Sequence, residues 1–110
     1  MKIGVLGGSF DPIHNGHIRM AALAKYKYNL QKILIVPLNQ PWLKKVKTHA
    51  SPSQRIEMCE IAIKKYKSFE VSDVDIVRGG ISYMIDTIND LKNKADKQDK
   101  FFVIIGDDNI

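Results

Sequence analysis

The chain has 110 residues, of which 45% are hydrophobic and 26% charged, and a formal net charge of +5. These values fit one ordinary globular domain and exclude a disordered tail, a collagen-like fibre and a coiled coil. No apolar run nears the roughly 18 residues of a membrane span, the N-terminus turns to Gly and Asp too soon for a signal peptide, and the lone Cys59 excludes an internal disulfide and a cysteine-based zinc site. The expected setting is cytoplasmic, with no membrane partner. Lys2 to Leu6 reads as a short buried strand that Gly7-Gly8 ends, and residues 9–16 form a loop rich in Gly, Pro, Asp and Asn. From His17 the pattern turns helical, with Met20, Leu23, Ala24 and Tyr28 on one face and Asn29 as its stop. Lys32 to Val36 is a second buried strand closed by Pro37, and residues 38–50 form a long loop.

Ser51-Pro52-Ser53-Gln54 announces a second helix, since Ser51 can cap, Pro52 suits the first helical position and Gln54 completes a capping box. Ile56, Cys59, Ile63 and Tyr66 line its buried face. Phe69-Glu70-Val71 and Val74-Asp75-Ile76-Val77 alternate in period two, as half-buried extended segments do. Gly79-Gly80 breaks the chain, and Ser82 then caps a third helix with Met84, Ile88, Leu91 and Ala95 on one face. Lys100 to Ile105 is another buried strand, ending at Gly106-Asp107-Asp108. Strands alternating with helices predict an α/β fold, a doubly wound parallel sheet covered on both faces. The strands near 2–6, 32–36 and 100–105 are expected to be parallel, the first and last adjacent, with Gly7-Gly8, Pro37-Leu38 and Gly106 to Asp108 on one rim.

The chemistry concentrates in Gly7 to His17. Two glycines let the backbone turn tightly and approach a ligand. Backbone N–H groups there and at the next helix start make an anion site, aided by the helix dipole. His14 and His17 stand three apart across Gly16, which leaves room for a phosphate or a base between them. An isolated pair of this kind is more often surface or capping residues; its position after a buried first strand favours an anion site. No third ligand of suitable spacing points to a metal, so no metal-ligating residues are expected. The basic excess, fourteen Lys among the seventeen basic residues, is spread over helix faces and loops. It carries no nucleic-acid-binding motif, and no nucleic-acid partner is expected.

The run Gly7 to His17 resembles the G-x-F-D-P-x-H-x-G-H signature of the nucleotidyltransferase superfamily, whose fold is Rossmann-like. Within it the chain is most similar to the bacterial nicotinate mononucleotide adenylyltransferases. Val36-Pro37 with Asn39-Gln40-Pro41 and Lys44 is similar to that family's substrate loop, Ser82 to Thr87 to its S-Y-T-I-D-T stretch, and Phe102 to Asp108 to its F-I-I-G-A-D strand end. The resemblance implies transfer of AMP from ATP to nicotinate mononucleotide, giving the deamido dinucleotide and pyrophosphate in NAD biosynthesis. It implies ATP binding by Gly7, Gly8, Ser9, Phe10, His14, His17, Gly106 and Asp108, with His14 and His17 catalytic. Asn39, Lys44, Ser82 and Tyr83 would surround nicotinate mononucleotide, and Mg2+ would be bound mainly through the ATP phosphates.

Residues 1–110 are expected to form a single nucleotidyltransferase domain, the N-terminal portion of the family fold, truncated at the C-terminus. The family's later S-S/T-T-x-x-R phosphate clamp has no counterpart, Pro41-Trp42-Leu43-Lys44 replaces P-P-H-K, Met84 stands for Thr, and Asp107 for Ala. The alternatives are another adenylyl- or cytidylyltransferase of the superfamily, or a truncated, catalytically weak nucleotide-binding module. The oligomeric state stays open, a homo-oligomer included.

Overall fold

The structure is a computed structural model that describes residues 1–40 and 49–105. In chain order the elements are β1 (Lys2–Gly8), α1 (Asn15–Lys27), β2 (Lys32–Pro37), α2 (Pro52–Ile63), β3 (Phe69–Val71), α3 (Val74–Arg78), α4 (Met84–Lys94) and β4 (Lys100–Val103). All three pairings are parallel, and the sheet order is β3-β2-β1-β4. The chain therefore winds outward from β1 to β3 and then returns to the other side of β1. The first and last strands are neighbours, as expected. Such a return leaves a crevice beyond the carboxyl ends of the strands on either side of it.

The unbroken apolar run of β2 follows from burial on both faces. Ile33 and Ile35 pack with Ala21 of α1 and Cys59 and Ile63 of α2, whereas Leu34 and Val36 pack with Val74 of α3 and Leu91 of α4. Val5, Ile33, Ile35 and Val36 are all fully buried, each stabilising the fold by about 1.5–3 kcal/mol relative to exposure. α2 begins as its sequence predicts. Ser51 Oγ accepts from the Gln54 N–H at 3.2 Å, and Gln54 Oε1 accepts from the Ser51 N–H at 2.9 Å. Asn29 does end α1. It adopts a left-handed conformation with φ 54°, and the Leu30 N–H donates to the Lys25 carbonyl at 3.0 Å, closing the helix end as a Schellman motif does.

Several local expectations need correction. β1 runs through Gly7 and Gly8, which pair with Val36 and Pro37, and does not end before them. The glycines serve close approach: a Cβ on Gly7 would stand 2.9 Å from Met84 Cε, and one on Gly8 3.0 Å from the Phe10 ring. The left-handed turn falls on Phe10 instead, at φ 49°. Residues 74–78 are helix α3, not an extended segment, because four alternating residues fit either period and the buried pair Val74 and Asp75 selects the helix. The buried stripe of α1 is Ile18 and Ala21, flanked by Met20 and Ala24. Leu23 and Tyr28 are 59% and 57% exposed, since small residues let the helix lie close to the sheet. β4 is a half-exposed edge, with Phe102 and Val103 about 40% exposed, because it pairs only with β1 among the described residues.

Candidate functional site

The His pair is built by the start of α1. His14 is the N-cap in extended conformation. Its Nδ1 accepts from the Gly16 N–H at 3.1 Å, and His17 Nδ1 accepts from the His14 N–H at 3.0 Å. A neutral imidazole whose Nδ1 accepts carries its proton on Nε2. The hydrogen bonds thus assign one tautomer to both rings and make both Nε2 atoms donors. The rings stack with centroids 3.8 Å apart and planes 31° apart, and Phe10 meets His17 edge-on at 5.1 Å. Gly16 permits this, but not by leaving a ligand slot: a Cβ there would stand 2.9 Å from the His14 ring. No acidic residue lies in the first turn of α1. Two neighbouring donors beside a helix N-terminus suit an anion.

The strand ends are tied into one rim. The Leu38 N–H donates to the Gly8 carbonyl at 2.9 Å. Arg55, which periodicity placed nowhere, is 1% exposed, and its Nη1 donates to the carbonyls of Ser9 at 2.9 Å and Leu38 at 2.6 Å. One guanidinium therefore sets the loop after β1 against the end of β2. Burial pulls the Arg55 pKa down, opposed by the charge of Asp11. Asp11, inside the predicted loop, accepts from the N–H groups of His49 at 2.6 Å and Ala50 at 3.0 Å, and so fixes the entry to α2. Nothing in the spacing of Arg55 signals this role, because an arginine at a helical position reads as solvent-exposed.

Asn39, Ser82 and Tyr83 come together on the second part of the rim. The Asn39 side chain donates to the Gly80 carbonyl at 2.8 Å. Ser82 and Gln40 exchange bonds, Gln40 N–H to Ser82 Oγ at 3.0 Å and Ser82 N–H to the Gln40 carbonyl at 2.7 Å. Ser82 does not cap α4; Tyr83 occupies the N-cap. The Ser82 side chain is buried, and its hydroxyl donates to Asp75. Tyr83 is 47% exposed. Lys44, Gly106 and Asp108 lie outside the described residues.

Two carboxyls have their pKa values lowered. For Asp11 the bond from the His49 backbone outweighs burial. For Asp75 burial pushes up, but bonds from Ser82, Asn39 and Thr87 together with the Arg78 charge outweigh it. Both folded values lie below the ordinary 3.8, so their stabilisation is present above that pH and is lost as the pH falls through the folded values. Urea midpoints are therefore expected to drop as the pH falls below about 4, and Asp75→Asn should flatten that fall. An equally steep fall in the variant would exclude Asp75 as a source. Cys59 is fully buried, and burial pushes its thiol up to about 12; a thiol so held is no nucleophile near neutrality.

Among the described residues no helix is long and apolar enough to cross a membrane, and no group of three or more His, Cys, Asp or Glu could hold a metal ion. The cytidylyltransferase-like family model matches residues 5–110. A Borreliella afzelii protein named "Probable nicotinate-nucleotide adenylyltransferase" is 42% identical over 98% of this chain and 55% of its own length. A Dehalococcoides mccartyi protein of the same name is 39% identical over 100% of the chain and 54% of its own length. The chain thus spans about half the length of these curated relatives. The solved Plasmodium falciparum nicotinic acid mononucleotide adenylyltransferase complexed with NaAD superposes with a TM-score of 0.69 at 18% identity, covering 93% of this chain and 50% of that one. At that identity the likeness speaks for the fold, a Rossmann-like nucleotidyltransferase sheet.

Proposed function

The chain belongs to the cytidylyltransferase-like family, and we propose that it serves the transfer of AMP from ATP to nicotinate mononucleotide. The observation that carries the reading is the stacked His14–His17 pair, whose Nδ1 atoms are both occupied by backbone N–H groups. Its support is the shared name of the relatives at about 40% identity. A phosphate oxygen of the mononucleotide attacks the α-phosphorus of ATP. The new P–O bond forms as the bond to the β-phosphate oxygen breaks, and pyrophosphate leaves with that electron pair. Charge builds on the phosphoryl oxygens during attack, where donors set in advance act most strongly. His14 and His17 offer such donors through Nε2, with Gly7, Gly8, Ser9 and Phe10 shaping the backbone beside the triphosphate.

The described residues carry no carboxylate set for a metal, and the Asp11 carboxylate is engaged by two backbone N–H groups. Mg2+ would be held mainly through the phosphates of ATP, where it would supply neutralisation of the leaving pyrophosphate. On the second part of the rim Asn39 and Tyr83 would receive the mononucleotide, with Lys44 from the loop, and the buried Ser82 would support them from behind. Gly106 and Asp108 would hold the adenosine side.

Pyrophosphate release should be compared with ATP or CTP as donor and nicotinate mononucleotide, phosphopantetheine or glycerol phosphate as acceptor. The expected result is fastest turnover with ATP and nicotinate mononucleotide. Faster turnover with CTP or with either other acceptor would replace this reading by another activity of the family. ATP binding without turnover of any acceptor would leave a nucleotide-binding module.

A further inference from the structure

Asp75 is a carboxylate with no solvent exposure in a segment whose pattern marks it only as a strand residue. It sits in the first turn of α3, and its two oxygens collect donors from three separate stretches of chain. Oδ2 accepts from the Asn39 N–H at 2.7 Å and from the Ser82 hydroxyl. Oδ1 accepts from the Thr87 hydroxyl at 2.7 Å and from Arg78. Arg78 also donates to Asp90 at 2.6 Å, so the buried charge is paired and the pair is anchored to α4. A buried ionised carboxylate is tolerated only when donors and an opposite charge surround it, and here both do.

The partners are the notable part. Asn39 begins the loop after β2, and Ser82 lies at the entry to α4, just before Tyr83. Ser82 passes the constraint on, since its hydroxyl accepts from the Gln40 N–H while donating to Asp75. Thr87 lies one turn beyond Tyr83 and is fully buried. The carboxylate therefore fixes the two stretches that carry Asn39 and Tyr83 against each other, while itself facing no solvent.

We propose that Asp75 is a positioning residue for the second substrate: it sets the Asn39–Gln40 backbone and the Ser82–Tyr83 stretch in the register that binds the mononucleotide. This rests on the proposed function for the identity of that substrate, but the positioning itself does not. The geometry makes Asp75→Asn a sharp test. Ser82 and Thr87 can turn their hydroxyls to suit an amide. The Asn39 N–H and the Arg78 guanidinium cannot, because both only donate. The amide's NH2 group must oppose one of those two donors, and the charged Arg78 holds the oxygen more strongly, so the NH2 group falls against the Asn39 N–H.

The test has two arms, run on wild type, Asp75→Asn and the milder Ser82→Ala. The first is amide hydrogen exchange. Exchange at Asn39 and Gln40 is expected to quicken by about tenfold or more in Asp75→Asn, with β1 and β2 amides unchanged; a lost net hydrogen bond of about 1.4 kcal/mol corresponds to tenfold. The second is steady-state kinetics. KM for nicotinate mononucleotide should rise by about tenfold, with KM for ATP and kcat held within about threefold. Ser82→Ala should give a smaller change of the same kind. Unchanged exchange at Asn39 and Gln40 would overturn the proposal. So would quickened exchange with both KM values unchanged, or a fall in kcat alone, which marks a merely structural carboxylate. If Asp75→Asn fails to fold, Thr87→Val, which removes a donor to the same carboxylate without touching the rim, decides by the same criteria. If the wild type does not use nicotinate mononucleotide, the functional reading fails by itself and the exchange arm decides whether Asp75 positions the loop.

Discussion

His17→Ala is expected to lower kcat by about 10²–10³, or roughly 3–4 kcal/mol, the usual cost of one donor aimed at developing charge. ATP binding measured by calorimetry should weaken far less, because that contact strengthens only as the α-phosphoryl group is attacked. Added ATP should not restore the rate. The same ring has a second task, since its Nδ1 caps the His14 N–H, so the alanine variant also loses about 1 kcal/mol of helix stability. His17→Asn separates the two roles. An asparagine oxygen can accept from the same N–H, while its short amide cannot reach the Nε2 position. The expected outcome is near-normal thermal stability with a kcat as low as that of His17→Ala. Near-normal kcat in both variants would reduce His17 to a capping residue.

Much of what had a period or a local signal was legible in the chain. The apolar run Ile33 to Val36 of β2 announced a buried strand, and Ser51 with Gln54 announced a capped helix. His14 and His17 stood out as a pair, and they do share one helix start. What was not legible depends on partners distant in sequence. Arg55 and Asp75 look like surface residues, and only the sheet order brings Ser9 and Leu38 to the first and Asn39, Ser82 and Thr87 to the second. The reading of 74–77 as extended failed because a single helical turn is shorter than either periodicity needs. Ser82 looked like a cap because Ser often is one, yet a buried carboxylate seven residues away offers its hydroxyl a charged acceptor. Such a bond is roughly twice as strong as a neutral one. The tautomer of the His pair was likewise hidden, since it is set by the backbone N–H groups that the capping geometry directs at each Nδ1.

Arg55→Met should destabilise the fold by about 3 kcal/mol, the cost of leaving two part-buried carbonyls without a charged donor at roughly 1.5 kcal/mol each. For a domain of this size that corresponds to a fall in Tm of well over 10 °C, at about 4–8 °C per kcal/mol. Methionine approximates the length and apolar volume of the arginine stem, so the change isolates the hydrogen bonds more than the packing. An opposing effect bears on the outcome. Burying a guanidinium costs solvation, and apolar replacements of buried charges are often neutral. Here the carbonyls of Ser9 and Leu38 are main-chain groups that stay behind when the charge is removed, which tips the balance toward loss. Arg55→Lys should fall between the two, because its ammonium is shorter in reach and more strongly hydrated, hence costlier to bury, than the guanidinium whose Nη1 donates to both carbonyls. An unchanged Tm in Arg55→Met would show that the two carbonyls find other donors, and that the rim is held by the Gly8–Leu38 bond and the Asp75 contacts alone.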